Sequence, residues 1–198
     1  MKSYSDLNTE SQNSKTLNID KLSVSEILTK INDEDKRIAD IVTEAIPDIK
    51  KTIDMTIKSV KSGGRIFYIG AGTSGRLGVL DASEIPPTYS ASSNLFNGII
   101  AGGDKALRNS IEGAEDNSEN AIKDLKSYKI NKKDTVIGIS CSGAANYVIS
   151  SLEYSKKKSA KTVYLVTNKK PFRTTKVDAI IRVDTGPEIV TGSTRMKA

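Results

Sequence analysis

The chain of 198 residues contains no histidine, no tryptophan and a single cysteine. The absence of histidine excludes a histidine general base, Ser–His and Cys–His nucleophiles, and nearly all zinc sites. One cysteine excludes an intramolecular disulfide and any cysteine cluster, in agreement with a reducing compartment. The length fits one domain, or one domain with an arm.

Long apolar runs and concentrated basic stripes are also absent. No apolar run approaches the roughly 20 residues of a membrane-spanning helix, and residues 1–22 lack the apolar centre of a signal peptide. The 30 Lys and Arg residues outnumber the 24 Asp and Glu residues, but they are scattered, and only 5% of residues are aromatic. A nucleic-acid-binding surface would combine clustered basic residues with aromatics. We therefore expect a soluble, cytoplasmic protein with neither a nucleic-acid nor a membrane partner.

The N-terminal third of the sequence divides into a polar stretch and a helical one. Residues 1–22 are rich in Ser, Asn and Lys without an apolar period, and this composition predicts an arm or a disordered tail. Helical patterns follow over residues 23–62, where Ser23 and Glu26 have the spacing of a capping box. Pro47 is typical of a first helical position and predicts the start of a third helix.

The rest of the chain alternates between β-rich and helix-like segments. Apolar runs that mostly lack polar alternation predict five strands buried on both faces, at 65–70, 96–101, 135–141, 162–167 and 178–183. Helix-like segments separate most of them, near 73–84, 104–112, 117–127 and 144–158. This alternation predicts an α/β fold in which a doubly wound, five-stranded parallel sheet is flanked by helices and preceded by N-terminal helices.

A glycine-rich turn, Gly70 to Arg76 (GAGTSGR), joins the first predicted strand to the next helix. Glycines allow the backbone to approach a ligand closely, and the N–H groups of a helix N-terminus favour an anion. Thr73 and Ser74 add hydroxyl donors. Three interpretations stay open for the turn alone: a phosphate monoester site, a dinucleotide site, or a tight turn without a ligand. The spacing matches a dinucleotide fingerprint, but Asp104 lies later than the usual ribose-binding acid.

Two more loops rich in Ser and Thr follow predicted strands, at Ser140–Gly143 and Thr191–Thr194. Three such loops at the carboxyl ends of parallel strands predict a small phosphorylated ligand in the crevice. The candidate binding residues are Gly72, Thr73, Ser74, Gly75, Ser142, Gly143, Ser193 and Thr194. Cys141 is interpreted as a small core residue, because no histidine is present to activate its thiol.

Two carboxylates are predicted to lie in opposite environments. Pro86 and Pro87 predict a helix end near Glu84, where the negative end of the helix dipole favours the protonated acid. Glu115 follows Gly113 and precedes a new helix, where a helix N-terminus favours the anion. Two carboxyl groups with opposed pKa shifts are typical of an acid/base pair. The alternative is two solvated carboxylates at helix ends.

Several longer motifs resemble those of the N-acetylmuramic acid 6-phosphate etherases, a branch of the sugar isomerase (SIS) fold. The resemblance runs from about Thr9 to the last residue. The motifs are Ile31–Asp35 (INDED), Gly70–Gly78 (GAGTSGRLG), Asp81–Tyr89 (DASEIPPTY), Ala101–Gly103 (AGG), Glu112–Asp116 (EGAED) and Val190–Ala198 (VTGSTRMKA).

The resemblance implies a homodimer with the active site between subunits. It also implies cleavage, without a cofactor or a metal, of the D-lactyl ether of N-acetylmuramic acid 6-phosphate to N-acetylglucosamine 6-phosphate and D-lactate. Glu84 matches the proton donor of the family and Glu115 its second catalytic acid. In this chemistry Glu115 takes the C2 proton of the open-chain sugar, which the C1 aldehyde acidifies. Glu84 protonates the lactate oxygen leaving C3, and water then adds at C3.

Two departures from the family pattern keep a second function open. Ala144, Ala145 and Asn146 stand where the family usually has Arg, Thr and Pro, which removes a charge and a hydroxyl donor. Family members also continue beyond the VTGSTRMKA motif. The predicted divisions are therefore a polar N-terminal arm (1–22), N-terminal helices (23–62) and a SIS-type sugar-phosphate-binding domain (63–198) that is truncated at its C-terminal end.

The alternative function is a non-catalytic sugar-phosphate sensor of the same fold, like the glucokinase regulatory protein. The altered loop and the short end favour the sensor, whereas the presence of both Glu84 and Glu115 favours the enzyme. The DASEIPP and EGAED segments argue against a third possibility, a sugar-phosphate isomerase. A dinucleotide enzyme is the least favoured of the four.

Overall fold

The computed structural model describes residues 7–192 and 194–198. One long helix, α1 (Val24–Lys61), precedes the sheet. The predicted capping box is confirmed: the Ser23 N–H donates to the Glu26 carboxylate at 2.8 Å, and the Glu26 N–H donates back to the Ser23 hydroxyl. The prediction of a new helix at Pro47 is wrong, because Pro47 lies inside α1. A proline inside a helix costs about 3 kcal/mol, and burial of Ala45 and its neighbours on the sheet offsets this cost.

The predicted five-stranded parallel sheet is confirmed. Its strand order is β2–β1–β3–β4–β5, and every neighbouring pair is parallel. The strands are β1 (Ile66–Gly70), β2 (Phe96–Ile100), β3 (Thr135–Ile139), β4 (Lys161–Val166) and β5 (Ala179–Arg182). The helices that follow α1 are α2 (Gly72–Tyr89), α3 (Lys105–Arg108), α4 (Ser118–Ser127) and α5 (Asn146–Lys157).

Helices cover both faces of the sheet, so alternate residues of each strand enter two separate cores. Phe67 and Ile69 of β1 pack with Leu125 of α4 and Leu152 of α5. Ile66 and Tyr68, which alternate with them along β1, pack on the opposite face, in the core that contains Ala45 of α1. Helix α2 lies on the α1 face, where a Cβ atom at Gly78 would be 2.7 Å from Tyr68 Cβ. None of the described helices is both long and apolar enough to span a membrane.

Residues 7–22 are packed against the loops that follow the strands. The Asn13 side chain donates to Pro187 O at 3.2 Å, and the Thr16 hydroxyl donates to Ile189 O at 2.8 Å. Leu7, Thr9, Asn13 and Thr16 are all buried. A disordered tail is therefore wrong for residues 7–22. The polar composition misleads because these side chains satisfy backbone groups of other segments. The division of the chain into domains stays a prediction.

Candidate active site

A cavity of about 700 Å³ opens at the carboxyl ends of β1, β2 and β3. Strands β1 and β3 are neighbours, and the helices that follow them, α2 and α5, lie on opposite faces of the sheet. This divergence leaves a crevice above the sheet, which is where open α/β sheets bind ligands. The lining residues come from 71–76, 101–115 and 139–145, and from Gly192, Thr194 and Arg195 in the third loop.

The glycine-rich turn forms one wall of the cavity. A Cβ atom at Gly75 would lie 2.6 Å from Ile100 Cγ1 and 2.7 Å from Gly70 O, so the helix can approach the strand this closely only without a side chain. Gly72, the first residue of α2, has a φ of +55°, which favours glycine. The N-cap residue is Ala71, which has no side-chain oxygen to accept the first N–H groups of α2. These N–H groups can therefore bind an anion.

Most of the predicted binding residues line the cavity. They are Gly72, Thr73, Ser74, Ser142 and Thr194. Gly75 and Gly143 do not line it. Gly75 packs against Gly70 and Ile100, while Gly143, with a φ of +76°, turns the chain beside Pro171. Ser193 lies outside the described residues. The hydroxyl groups of the first and second loops thus converge, as expected from strand ends at one edge of the sheet.

Cys141 lies in the wall of the cavity, so its interpretation as a core residue is wrong. Its side chain is half-buried, and its Sγ is 3.5 Å from Ser74 Oγ. Burial raises the pKa of the thiol, which keeps Cys141 neutral and unsuited to nucleophilic attack. The reason for its exposure to the cavity is that the chain leaves the sheet at Ser140, and Cys141 begins the loop.

A buried asparagine supports the loop at Cys141 from behind. Asn168 is 1% exposed, and its side-chain amide donates to Cys141 O at 3.0 Å and to Thr9 Oγ1 at 2.8 Å. The Thr9 N–H donates back to Asn168 Oδ1 at 3.3 Å. The N-terminal segment therefore contacts the cavity loop through one side chain.

Glu115 lines the cavity from a single 3₁₀ turn, Ala114–Asp116. The prediction that its environment favours the anion is wrong. Protein atoms around the carboxylate raise the pKa of Glu115, and the charges of Asp116 and Glu112 raise it further. The N-terminus of α4 does not counter these effects, because its N-cap is Asn117, whose side chain accepts the Asn120 N–H at 2.9 Å.

Glu84 does not line the cavity. Helix α2 continues to Tyr89 with Pro86 and Pro87 inside it, so the predicted helix end near Glu84 is wrong. The φ that proline imposes is itself helical, which allows both prolines to continue the last turns. Glu84 is exposed on this helix. Within one chain the structure therefore brings Glu115, and not Glu84, to the cavity.

Two arginines of the cavity were not among the predicted site residues. The guanidinium of Arg76 donates to the backbone oxygens of Ala106, Leu107 and Asn109 at 2.8–3.2 Å, which holds the opposite wall against α2. Arg195 lines the cavity from the third loop. Both arginines lie inside sequence motifs, GAGTSGRLG and VTGSTRMKA. Their positive charge next to predicted anion-binding loops could have identified them as site residues.

Among the described residues, no three carboxylate or thiol side chains are grouped as metal ligands. The cavity instead combines uncapped N–H groups, hydroxyls, two arginines and the carboxylates of Glu112 and Glu115. Such a lining can hold an anionic group at one end and exchange a proton at the other.

The family model of the glucokinase regulatory protein N-terminal SIS domain matches residues 48–156. Curated relatives match almost the whole chain. An N-acetylmuramic acid 6-phosphate etherase of Mycoplasma mycoides subsp. mycoides is 50% identical over 193 residues, which are 98% of this chain and 64% of that protein. One of Clostridium beijerinckii is 50% identical over 192 residues, 97% of this chain and 63% of that protein. The chain spans 63–65% of the length of such relatives.

Solved structures with low sequence identity share the fold. The phosphoheptose isomerase of Neisseria gonorrhoeae superimposes with a TM-score of 0.61 at 15% identity, over 81% of this chain and 86% of that one. That of Francisella tularensis gives 0.59 at 16% identity, over 82% and 85%. The family model covers more than half of the chain, and the solved structures share its fold. The chain belongs to the SIS-domain family that is described by the glucokinase regulatory protein N-terminal SIS domain.

Proposed function

We propose that this protein is a carbon–oxygen lyase that cleaves the D-lactyl ether of N-acetylmuramic acid 6-phosphate, giving N-acetylglucosamine 6-phosphate and D-lactate. The observation that carries the proposal is the carboxylate of Glu115 in a cavity whose other wall is an anion-binding turn. The name shared by the curated relatives supports it. No cofactor is needed, because the C1 aldehyde of the open-chain sugar supplies the electron sink.

The 6-phosphate binds at the start of α2 in this proposal. The N–H groups of Gly72–Ser74 and the hydroxyls of Thr73 and Ser74 donate to it, and Ser142 and Thr194 contribute from the other two loops. Gly75 allows α2 to approach the strand closely. Gly143 turns the chain in the second loop, and Ser193, which lies outside the described residues, stays a predicted donor. The positive charges of Arg76 and Arg195 attract the dianion into the cavity.

Glu115 is the base of the first step. It removes the C2 proton, the electrons of the C–H bond form the C2–C3 double bond, and the C3–O bond to lactate breaks. A protonated Glu84 delivers the proton that lactate needs as it leaves. Water then adds to the unsaturated aldehyde, with hydroxyl at C3 and the proton at C2. A raised pKa makes Glu115 a stronger base than an ordinary carboxylate, which favours proton abstraction from carbon.

Glu84 reaches the reaction from a second copy of the chain in this proposal. On α2, Leu77 and Leu80 are more than half exposed and line an apolar groove with Leu107. Exposed apolar grooves of this kind are typical of interaction surfaces. Thr73 and Arg76 line both this groove and the cavity. A second copy that covers the groove with its own α2 therefore brings its Glu84 toward the edge of the cavity.

The direct test is incubation of the purified protein with N-acetylmuramic acid 6-phosphate, with D-lactate measured enzymatically and the sugar product identified by mass spectrometry. We expect equal amounts of D-lactate and N-acetylglucosamine 6-phosphate. In ¹⁸O-labelled water the sugar should gain one labelled oxygen at C3, because water replaces the ether oxygen. Unlabelled product would contradict elimination followed by rehydration.

A sugar-phosphate sensor is the second candidate, and two observations favour it. The matching family model is described by the glucokinase regulatory protein, and Ala145 in the altered loop lines the cavity where relatives of the family usually carry a hydroxyl. The two candidates differ in one measurement. A sensor binds N-acetylmuramic acid 6-phosphate by calorimetry and returns it unchanged, whereas the lyase releases D-lactate.

We also propose that the reaction takes place in the cytoplasm and serves the recycling of cell-wall amino sugars. The single cysteine agrees with a reducing compartment. Fractionation of the native cells, followed by assay of each fraction for D-lactate release, tests the location.

A further inference from the structure

The third loop of the cavity lacks the support of a regular element. Gly192, Thr194 and Arg195 line the cavity, and residues 194–198 form turns rather than a helix or a strand. A loop of this kind needs other contacts to hold its side chains at a fixed distance from the glycine-rich turn.

A buried carboxylate fixes the backbone immediately after Arg195. Glu188 is fully buried, and its Oε1 accepts the N–H groups of Met196, Lys197 and Ala198 at 3.1–3.2 Å. Hydrogen bonds from backbone N–H groups to a carboxylate are among the stronger ones in proteins. Three in succession fix the direction in which the chain leaves the cavity.

A buried ion pair joins the same turn to α1. Lys197 Nζ lies 2.6 Å from Glu34 Oε2, and the two side chains are 1% and 4% exposed. Burial alone would raise the pKa of Glu34, but hydrogen bonds from Lys197 and two exposed cations lower it to about 2. Those cations, Lys15 and Arg37, bind the other carboxylate oxygen at 2.9 and 3.0 Å.

From this arrangement we infer that Glu34, Glu188 and Lys197 act as a clasp that positions Thr194 and Arg195 for binding of the sugar phosphate. These three are positioning residues, since none of them lines the cavity. A buried ion pair adds little net stability over apolar side chains of similar volume, but it specifies one geometry. The inference rests on the proposed function, because it takes a sugar phosphate as the ligand.

Loss of the clasp should weaken binding of the sugar phosphate much more than it slows turnover. Lys197→Met releases the loop while Glu115 stays on its own turn. We expect the KM for N-acetylmuramic acid 6-phosphate, and the Kd for N-acetylglucosamine 6-phosphate, to rise at least about tenfold, which corresponds to one charge-assisted hydrogen bond to phosphate. The value of kcat should change much less. Lys197→Arg, which keeps the charge, should recover part of the affinity.

Two further variants separate positioning from simple stability. Lys15→Met removes an exposed cation from the same carboxylate without touching the loop, and it should keep the affinity of the unchanged protein. The double variant Glu34→Met/Lys197→Met replaces the pair by apolar side chains and should unfold near the midpoint of the unchanged protein. Its affinity should nevertheless stay low. This double variant decides the question even if Lys197→Met alone does not fold.

Binding affinity and D-lactate release together distinguish failure of the clasp from failure of the lyase. If the double variant binds N-acetylglucosamine 6-phosphate as tightly as the unchanged protein, the clasp is overturned and the lyase is unaffected. If the unchanged protein binds this sugar phosphate but releases no D-lactate, the lyase is overturned. The clasp is then tested by the affinities of the variants alone. If the unchanged protein binds no sugar phosphate, both proposals are overturned.

Discussion

The two halves of the cavity are built in different ways. The half proposed to bind the phosphate, the phosphate half, lies at Gly70–Gly75 and Ser142 and depends on short-range backbone geometry, such as the contact between Gly75 and Gly70 and the positive φ of Gly72. The half proposed for proton transfer, the acid–base half, depends on the surroundings of two carboxylates, Glu84 and Glu115, that lie far apart in sequence. Both carboxylates are exposed, but Glu115 lines the cavity, and nearby protein atoms and the charges of Asp116 and Glu112 raise its pKa. Local motifs therefore specify the first half, and tertiary and quaternary contacts specify the second.

Loss of the base gives the largest expected effect. Glu115→Gln should lower D-lactate release by about 10²–10⁴-fold, the usual contribution of one positioned proton transfer. It should also stop exchange of the C2 proton with solvent, followed by NMR in deuterated water. Glu84→Gln should block lactate release but leave some exchange, because the base remains.

Glu119→Gln, an exposed carboxylate on α4, is the matched control and should retain full activity. If Glu84→Gln abolished exchange while Glu115→Gln preserved it, the two roles would be reversed. Unchanged D-lactate release in both variants would contradict a role of either carboxylate in the reaction.

Mixing the two inactive variants tests whether the acid–base half spans two chains. In a heterodimer of Glu84→Gln with Glu115→Gln, one cavity carries both substitutions and the other carries neither. Unfolded and refolded together in equal amounts, the variants should recover about a quarter of the original activity, since half of the dimers are mixed. Size-exclusion chromatography with light scattering measures the oligomeric state in parallel. A monomer, or no recovery, would contradict a shared site.

The phosphate half should respond to loss of one hydroxyl. Ser74→Ala should weaken binding of N-acetylglucosamine 6-phosphate by roughly 1.5–3 kcal/mol, the usual contribution of a hydrogen bond to a charged group. Calorimetry gives the Kd directly. Ser127→Ala, at an exposed serine of α4, is the control. An unchanged Kd for Ser74→Ala would remove the glycine-rich turn from the phosphate site.

Close packing in the same half predicts an effect on stability. Glycine-to-alanine changes inside helices usually stabilise them by up to about 1 kcal/mol. Gly75→Ala should instead destabilise the protein by about 1–3 kcal/mol, because its Cβ would lie 2.6 Å from Ile100 Cγ1. Gly72→Ala has open space around the new Cβ and only the strain of φ +55°, so it should be the milder change. Urea unfolding of both variants measures the difference, and the opposite ranking would contradict the packing argument.

The raised pKa of Glu115 should be visible in the dependence of kcat/KM on pH. Glu115 must be ionised to act as a base, so kcat/KM rises with pH through its pKa, above the ordinary value of 4.5. Asp116→Asn removes a negative charge that raises this pKa, so the acid limb should move to lower pH. Asp54→Asn on α1 should leave the limb in place. A limb that does not move would show that Asp116 has no influence on Glu115.

Much of the fold can be predicted from the sequence, because parallel strands that are buried on both faces consist of continuous apolar residues. The five strands appear within about two residues of the predicted positions. Helix ends at proline could not be predicted. Pro47, Pro86 and Pro87 all lie inside helices, since packing of a helix against the sheet outweighs a local preference that costs only a few kcal/mol.

Part of the candidate site could also be predicted from the sequence, and part could not. The hydroxyls of Thr73, Ser74 and Ser142 follow strands, and strand ends meet at one edge, so their convergence on the cavity was predictable. The pKa shift of Glu115 was not, because it arises from burial and from Asp116 and Glu112 in the folded chain. The packed N-terminal segment was also missed, since three of its buried side chains, those of Thr9, Asn13 and Thr16, are polar.

Helix α1 contacts the start of β3 near one end and the loop beside the cavity near the other. Near its end, the Ser59 hydroxyl lies 2.7 Å from that of Thr135, at the start of β3. Glu34 lies 25 residues earlier, about 37 Å along the helix axis, where it holds Lys197 beside the cavity. A tilt of about 5° around Ser59 would move Glu34 by about 3 Å over that length. Pro47 lies between the two contacts and removes one backbone hydrogen bond. We therefore expect α1 to bend most easily near its middle.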